Sequence, residues 1–259
     1  MKITTWNVNS LTARKERAEN WLRANAVDVL CLQELKMEDA KFPHEMFNAL
    51  GYHALSFGQK TYNGVAIITK NDLPAPTDIV RGIPGFEDEQ SRAIAATVGD
   101  TRVICLYVVN GQEVGSEKFA YKLRWLEACT QWLERERATH EKLVVVGDFN
   151  IAPTDADVHD PKAWEGQVLC TVEERAFFNR WVALGLSDTF RQFEQPANTF
   201  SWWDYRMLAF PKNKGLRIDH VLASPALASR CTSCAVDRNE RKGEKPSDHA
   251  PVTAVFAPE

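Results

Sequence analysis

The stretch Leu143-Val-Val-Val146, running straight into Gly147-Asp148-Phe149-Asn150, limits what this chain can fold into more than any other segment. Consecutive aliphatic residues, three of them β-branched, read as a buried strand. Glycine at its end lets the backbone turn or approach another group closely. Asp148 and Asn150 are spaced by two and fall on one face of an extended segment. Buried apolar residues therefore hold a carboxylate and an amide side by side at the rim of a sheet.

The same arrangement recurs along the chain. Ile3-Thr-Thr-Trp6 runs into Asn7, and Val29-Leu-Cys-Leu32 into Glu34. Asp219-His220 precedes Val221-Leu222, and Asp248-His249 precedes the run from Val252 to Phe256. In antiparallel pairs the end of one strand lies beside the start of its neighbour, so all these termini can share one rim. Taken singly, an Asp or Asn after a strand is a turn residue or helix cap, and an Asp-His is a surface pair. Together they bring four carboxylates (Glu34, Asp148, Asp219, Asp248), two amides (Asn7, Asn150) and a histidine (His249) to one place. Such carboxylates cannot all stay ionised without a counter-charge. Oxygen donors without cysteine favour a hard cation, and Mg²⁺ commonly takes one or two carboxylates plus waters and substrate phosphate. That chemistry suits hydrolysis of phosphodiesters or phosphomonoesters.

The remaining segments read as layers around this rim. Residues 12–25 form a helical pattern, with Ala18, Trp21 and Leu22 at helical spacing. A short helix is expected around His44, strands over 52–57 and 64–69, and a long surface loop over 72–92. Runs 92–98 and 102–109 make a hairpin about Gly99-Asp100. Ser116 to Ala138 is the longest helical pattern, with Phe119, Leu123, Leu126 and Leu133 on one face. Residues 151–170 read as polar loop. Thr171-Val-Glu-Glu174 has the form of a capping box, and Gly185 stops the helix it begins. Short strands outnumber the long helices, and no repeat or linker interrupts them. The expectation is one α/β domain over residues 1–259, with two packed sheets and helices outside.

Composition excludes more than it selects. Hydrophobic residues at 44% and charged residues at 25% are ordinary for a soluble enzyme. No apolar run approaches the roughly 18 residues of a membrane span. The N-terminus enters a strand without a signal segment, so a cytoplasmic location is expected. Cys31, Cys105 and Cys129 sit in apolar patterns and read as small buried hydrophobes. Cys231 and Cys234 form a lone Cys-x-x-Cys without the second pair that zinc would need. The net charge of −4 does not suggest a nucleic-acid binder, but segregated charge matters more than the sum. Residues 200–218 are such a segregated patch. They mix Trp202, Trp203, Tyr205 and Phe210 with Arg206, Lys212, Lys214 and Arg217, with no acid between Asp204 and Asp219. Aromatics and cations together suit phosphate contact and stacking; a surface loop with Trp203 and Tyr205 folded into the core is the plainer reading.

Trp6-Asn7-Val8-Asn9, Leu32-Gln33-Glu34, Gly147-Asp148-Phe149-Asn150, Gly215-Leu-Arg217-Ile-Asp219 and Ser247-Asp248-His249 occur in this order over nearly the whole chain. The series resembles the signature motifs of the exonuclease III family of abasic-site endonucleases, within the endonuclease/exonuclease/phosphatase superfamily. The resemblance implies a four-layer α/β-sandwich with mixed, mainly antiparallel sheets. It implies a Mg²⁺-dependent enzyme, with Mn²⁺ as a possible substitute; nothing in the sequence demands more than a monomer. Its partner would be double-stranded DNA with abasic or 3′-blocked lesions. By the same resemblance Glu34 would be the principal metal ligand, with Asn7 and Asp248 close by. Asp148 would orient or deprotonate water, Asn150 would hold a phosphate oxygen, and His249, paired with Asp219, would stabilise charge developing on phosphorus. Tyr107 matches the family's active-site tyrosine; as a residue it reads equally as a half-buried strand aromatic. Asn110 fits a phosphate-binding amide. Trp202, Leu216 and Ile218 occupy the positions of the pocket for a flipped-out abasic sugar, with Arg206 and Arg217 as cationic contacts nearby. Lys60, Tyr62, Asn63 and Arg92 fall in loops matching the family's DNA-contacting loops. Leu216 stands where some members have tryptophan, and residues 155–170 diverge. These departures bear on the balance among abasic-site incision, 3′→5′ exonuclease action and 3′-phosphate removal. Two other classes share the fold. A lipid or inositol-phosphate phosphatase usually lacks a basic aromatic segment like 202–217. A non-catalytic nucleic-acid-binding relative is expected to have lost Glu34, Asp148 or His249.

Overall fold

The computed structural model describes residues 1–259. In chain order its first half contains β1 (Lys2–Asn7), α1 (Leu11–Asn25), β2 (Val29–Gln33), α2 (His44–Ala49), β3 (Tyr52–Phe57), β4 (Val65–Lys70), β5 (Thr77–Arg81), β6 (Ala93–Val98) and β7 (Thr101–Tyr107). Then follow α3 (Glu117–Thr139), β8 (Leu143–Asp148), α4 (Pro161–Trp164), α5 (Val172–Ala183), β9 (Ser187–Asp188), β10 (Trp202–Trp203), β11 (Gly215–Leu216), β12 (Asp219–Ala223), α6 (Pro225–Ala228), β13 (Cys231–Val236) and β14 (Val252–Phe256). One six-stranded sheet has the order β13-β14-β1-β2-β4-β3 and the other β5-β6-β7-β8-β12-β9. β1 is parallel to β2 and β7 to β8; every other pair in these two sheets is antiparallel.

The layering follows from strands that are apolar on both faces. Val144 and Val146 of β8 pack between the sheets with Ile3, Cys31 and Ile67. Leu143 and Val145 point the other way, into Leu126, Leu133 and Trp181 of α3 and α5. β2 divides in the same manner: Val29 and Cys31 face the inter-sheet core, while Leu30 and Leu32 face Trp21, Leu22 and Phe47 of α1 and α2. The result is the four-layer helix–sheet–sheet–helix sandwich.

Local sequence fixes the helix ends. Ser10 and Ser116 accept hydrogen bonds from Ala13 N (3.2 Å) and Phe119 N (3.1 Å), capping α1 and α3. At α5 the capping box is complete: Thr171 Oγ1 accepts from Glu174 N, and Glu174 Oε1 accepts from Thr171 N. Besides the two-residue β9, β10 and β11, two longer strands lie where no strand was expected. β5 falls inside the anticipated loop 72–92, and β13 follows α6. Both are edge strands with a register shift and mostly uncovered side chains. An edge strand is held by its ladder on one side only, so its residues need no burial pattern.

Pairing then assembles the rim. Parallel β1 and β2 end together, with Asn7 opposite Gln33. Asp148 is opposite Tyr107 of β7 on one side and Asp219 of β12 on the other. Gly147 permits this closeness: at its φ of +151°, an added Cβ would stand 1.9 Å from the Leu106 carbonyl oxygen.

Candidate active site

Ser247 brings the start of β14 to the end of β1. Its hydroxyl donates to Asn7 O (2.6 Å) and accepts from His249 N (3.2 Å). Asp248 and His249 are thereby delivered to the rim. His249 Nδ1 lies 2.8 Å from Asp219 Oδ2, and its Nε2 lies 3.5 Å from Asp148 Oδ2 and 4.0 Å from Asp248 Oδ1. Glu34, Asp148 and His249 each offer a ligand atom within 4.8 Å of the others. Glu34 and Asn150 both adopt left-handed backbone conformations, with φ of +54° and +48°. For a non-glycine residue that strain is of order 1 kcal/mol or more, and it aims both side chains over the rim.

The structure corrects the expected place of Asn7. Its Nδ2 donates to Glu34 Oε2 (2.8 Å) and Asp148 Oδ2 (2.9 Å), while its Oδ1 accepts from Asn9 N (2.9 Å). With the oxygen turned to its own loop, Asn7 orients two carboxylates and presents no ligand atom to the rim. Asp248 is held from the other side: Trp202 Nε1 donates to its Oδ2 (3.1 Å).

The charges on this rim do not balance. Burial pushes the Asp148 carboxyl up to about 7, against the pull of His249, with Asp219 and Glu34 pushing the same way as burial. Burial would lower the His249 imidazole, but Asp219, Asp148 and Asp248 outweigh it and raise it well above its ordinary value. Both shifts mean that the cluster holds more negative charge than it can carry and takes up protons in compensation. Asp219 Oδ1 and Asp248 Oδ1 are buried without a hydrogen-bond partner. Orphaned carboxylate oxygens, the raised Asp148 and an absence of thiols fit a hard cation at this place. Burial and the Glu34 carboxylate push the Tyr107 phenol up as well, opposed by Arg92, whose guanidinium lies 4.8 Å from its ring. Tyr107 is therefore a protonated donor.

The amides stand beside the carboxylates. Asn110 Nδ2 donates to Asn150 Oδ1 (3.3 Å), and Asn150 Nδ2 donates to Val108 O (2.8 Å). Each side-chain amide carries two N–H groups, so each keeps one to donate. Arg92, Tyr62, Asn63 and Asn110 line a cavity of about 700 Å³ next to the rim. Lys60 is exposed nearby in the same loop.

On the opposite side Trp202 packs, half-buried, against a small apolar cluster that contains Leu216 and Ile218 with Val158, Leu169 and Cys170. Leu216 and Ile218 were expected to touch substrate, yet they are fully covered. The divergent segment 155–170 seals them, so they support the pocket from beneath. Arg217 is the larger correction. It is buried, donates to Asp157 Oδ1 (2.7 Å) and to both Asp188 oxygens (2.7 and 3.2 Å), and stacks on Phe190. A guanidinium withdrawn from water requires carboxylates, and Arg217 has spent its charge on two of them. Arg206 is at the surface, forked onto Asp204.

Sequence reading missed Lys122. It lies on the buried stripe of α3, three residues after Phe119 and four before Leu126, and its side chain is fully buried. A lysine on that stripe is itself the signal, because burying an ammonium demands a partner. It also missed Lys36, which donates to Asn9 Oδ1 (2.8 Å) beside Glu34.

An α/β sandwich with a carboxylate-rich rim and an Asp-ordered imidazole defines a class of hydrolases. Residues 4–249 match the model of the Endonuclease/Exonuclease/phosphatase family, and the chain belongs to that family. It is 40% identical to exodeoxyribonuclease III of Haemophilus influenzae, over 99% of this chain and 100% of that protein. It superposes on a Neisseria 3′ phosphatase, NExo, bound to product DNA hairpin, with a TM-score of 0.96, 47% identity and 99% of each chain covered. An AP endonuclease from Archaeoglobus fulgidus gives 0.94 at 37% identity over 100% of each chain. These likenesses narrow the placement to the exonuclease III branch. No helix is long and apolar enough to cross a membrane.

Proposed function

We propose that this chain is a Mg²⁺-dependent DNA-repair phosphodiesterase acting at abasic sites and 3′ ends of duplex DNA, with Mn²⁺ as a substitute. The observation that carries the reading is the uncompensated carboxylate rim beside an imidazole already ordered by Asp219. Its likeness to exodeoxyribonuclease III supports DNA as the substrate.

Glu34 and Asp248 would hold the cation, with Asp148 adjoining. Bound there, the ion supplies positive charge against phosphate oxygens. Asp148, lifted towards neutrality by burial, orients the attacking water and takes its proton. His249, fixed through Nδ1 by Asp219, presents Nε2 to the charge that develops on the phosphoryl oxygens. Asn110 and Asn150 give their remaining N–H groups to the phosphate, and the Tyr107 phenol, kept protonated, donates a hydrogen bond there. Trp202 offers its ring to the sugar, while its N–H fixes Asp248. The enzyme works as a cytoplasmic monomer.

The test is a side-by-side assay on three duplexes: an internal abasic site, a 3′-phosphate end and a plain recessed 3′ end. Cleavage should disappear in excess chelator and return with Mg²⁺. Full activity in chelator sinks the metal assignment, and cleavage of inositol phosphates or lipids instead of DNA sinks the substrate.

A further inference from the structure

Among buried charged groups outside the rim, Lys122 is singular in what it touches. Its Nζ donates to Asn150 O (2.7 Å), to Asn110 O (3.1 Å) and to the Glu174 carboxylate. The first two acceptors belong to the amides assigned to the phosphate. The third is the capping-box glutamate of α5, which also accepts from Leu169 N (3.0 Å) and from Thr171. One ammonium therefore ties α3, α5, the loop after β7 and the exit of β8 at a single point. Asn150 itself sits at φ +48°, and an unfavourable conformation persists only where neighbours over-determine it. Its backbone N–H is bound to Asp148 Oδ1 (3.0 Å), so any shift of Asn150 also moves the carboxylate assigned to water.

We infer that Lys122 is a positioning residue for catalysis: by holding the carbonyls of Asn110 and Asn150 it sets the aim of the amide pair and, through Asn150, of Asp148. The inference rests on the phosphodiesterase reading above. Ion pairing alone does not explain this geometry. Glu174 would satisfy a lysine anywhere along its reach, whereas two backbone carbonyls from separate loops converge on the same nitrogen. An amine with three N–H groups fills this set completely, one to each acceptor.

A structural role and a positioning role separate in the following experiment. Lys122→Met strands the Glu174 charge in the interior and is expected to lower stability. Lys122→Met combined with Glu174→Gln buries no charge and keeps a side-chain oxygen for the Thr171 cap, losing only the bond from Leu169 N; this pair is expected to regain part of the lost melting temperature. Rates are measured on a 3′-phosphate duplex, per folded molecule by near-ultraviolet circular dichroism. The double variant should keep KM within threefold and lose kcat by about 10²-fold, the usual cost of a small misplacement of a reacting group. In an Asn150→Ala background, which lacks one of the two aimed amides but keeps both backbone bonds to Lys122, the same double change should cost less than it does alone. If the double variant recovers kcat along with stability, Lys122 is a structural ion-pair partner and the inference is overturned. Full additivity with Asn150→Ala overturns it as well. Should Asn150→Ala alone leave kcat unchanged, the assignment of the site fails instead, which distinguishes the two.

Discussion

Two buried clusters meet at β12, and they have nearly the same ingredients. The rim gathers Glu34, Asp148, Asp219, Asp248 and His249. The other cluster gathers Asp157, Asp188 and His220 around Arg217, with Arg191 on Asp157. Asp219 and His220 are adjacent, yet they go to different clusters because successive strand residues point to opposite faces. The difference is the cation. Arg217 satisfies its carboxylates, His220 accepts at Nδ1 from Arg217 and donates from Nε2 to Ile151 O (2.8 Å), and every group has a partner. The rim has only Lys36, 3.8 Å from Glu34, and the raised His249 against four carboxylates, and the Oδ1 atoms of Asp219 and Asp248 stand orphaned. Carboxylates and a histidine make a brace when the protein supplies the counter-charge and a reactive site when it does not.

That contrast can be broken most sharply by exchanging effects on rate and on stability. Asp148→Asn and His249→Asn are expected to keep the fold and lower kcat on an abasic-site duplex by about 10²–10⁴-fold. Unchanged rates in both would remove the mechanism. Arg217→Met should do the reverse. Leaving Asp188 buried without its ion pair, and Asp157 with Arg191 alone, costs about 3–5 kcal/mol in urea unfolding, with kcat per folded molecule unaltered; a large kcat loss would return Arg217 to the substrate.

The histidines should oppose one another in pH dependence. Burial and Arg217 lower His220 from 6.5 to about 4, so the unfolded chain binds its proton first. Stability is then complete above about 6.5 and falls as the pH drops towards 4, by about 3 kcal/mol, and His220→Gln should flatten that slope. His249 is raised, so its contribution is present below its unfolded value and is lost as the pH rises through the folded one. At still lower pH Asp157 follows. Burial would raise it, but Arg217 and Arg191 hold it at about 2, and about 2 kcal/mol is lost between 3.8 and that value. The smallest effect is expected from Asp219→Asn without metal: relief of repulsion should offset the weakened bond to His249 and keep the melting temperature within a few degrees. A collapse comparable to Arg217→Met would show that the rim is a brace after all.

Much of this was legible before folding. The apolar runs of β1, β2, β8 and β14, the Thr171–Glu174 capping box and the placing of Glu34, Asp148 and His249 at strand ends are local patterns, and local patterns survive into the structure. β5 and β13 were not legible, because an edge strand need not bury an alternating face. Arg217 misled for the opposite reason: it stands in a basic, aromatic segment, and nothing in that segment tells that Asp157 and Asp188 will reach it.

The sequence by itself determined the layered sandwich and which chemistry-bearing residues stand at its rim, since burial periodicity and turn chemistry act over a few residues. Only the tertiary structure decided which carboxylates receive a cation from the protein, which amide faces them, and that Lys122 closes the network behind Asn150. Charge compensation depends on groups arriving from distant segments, and no spacing within one segment encodes it.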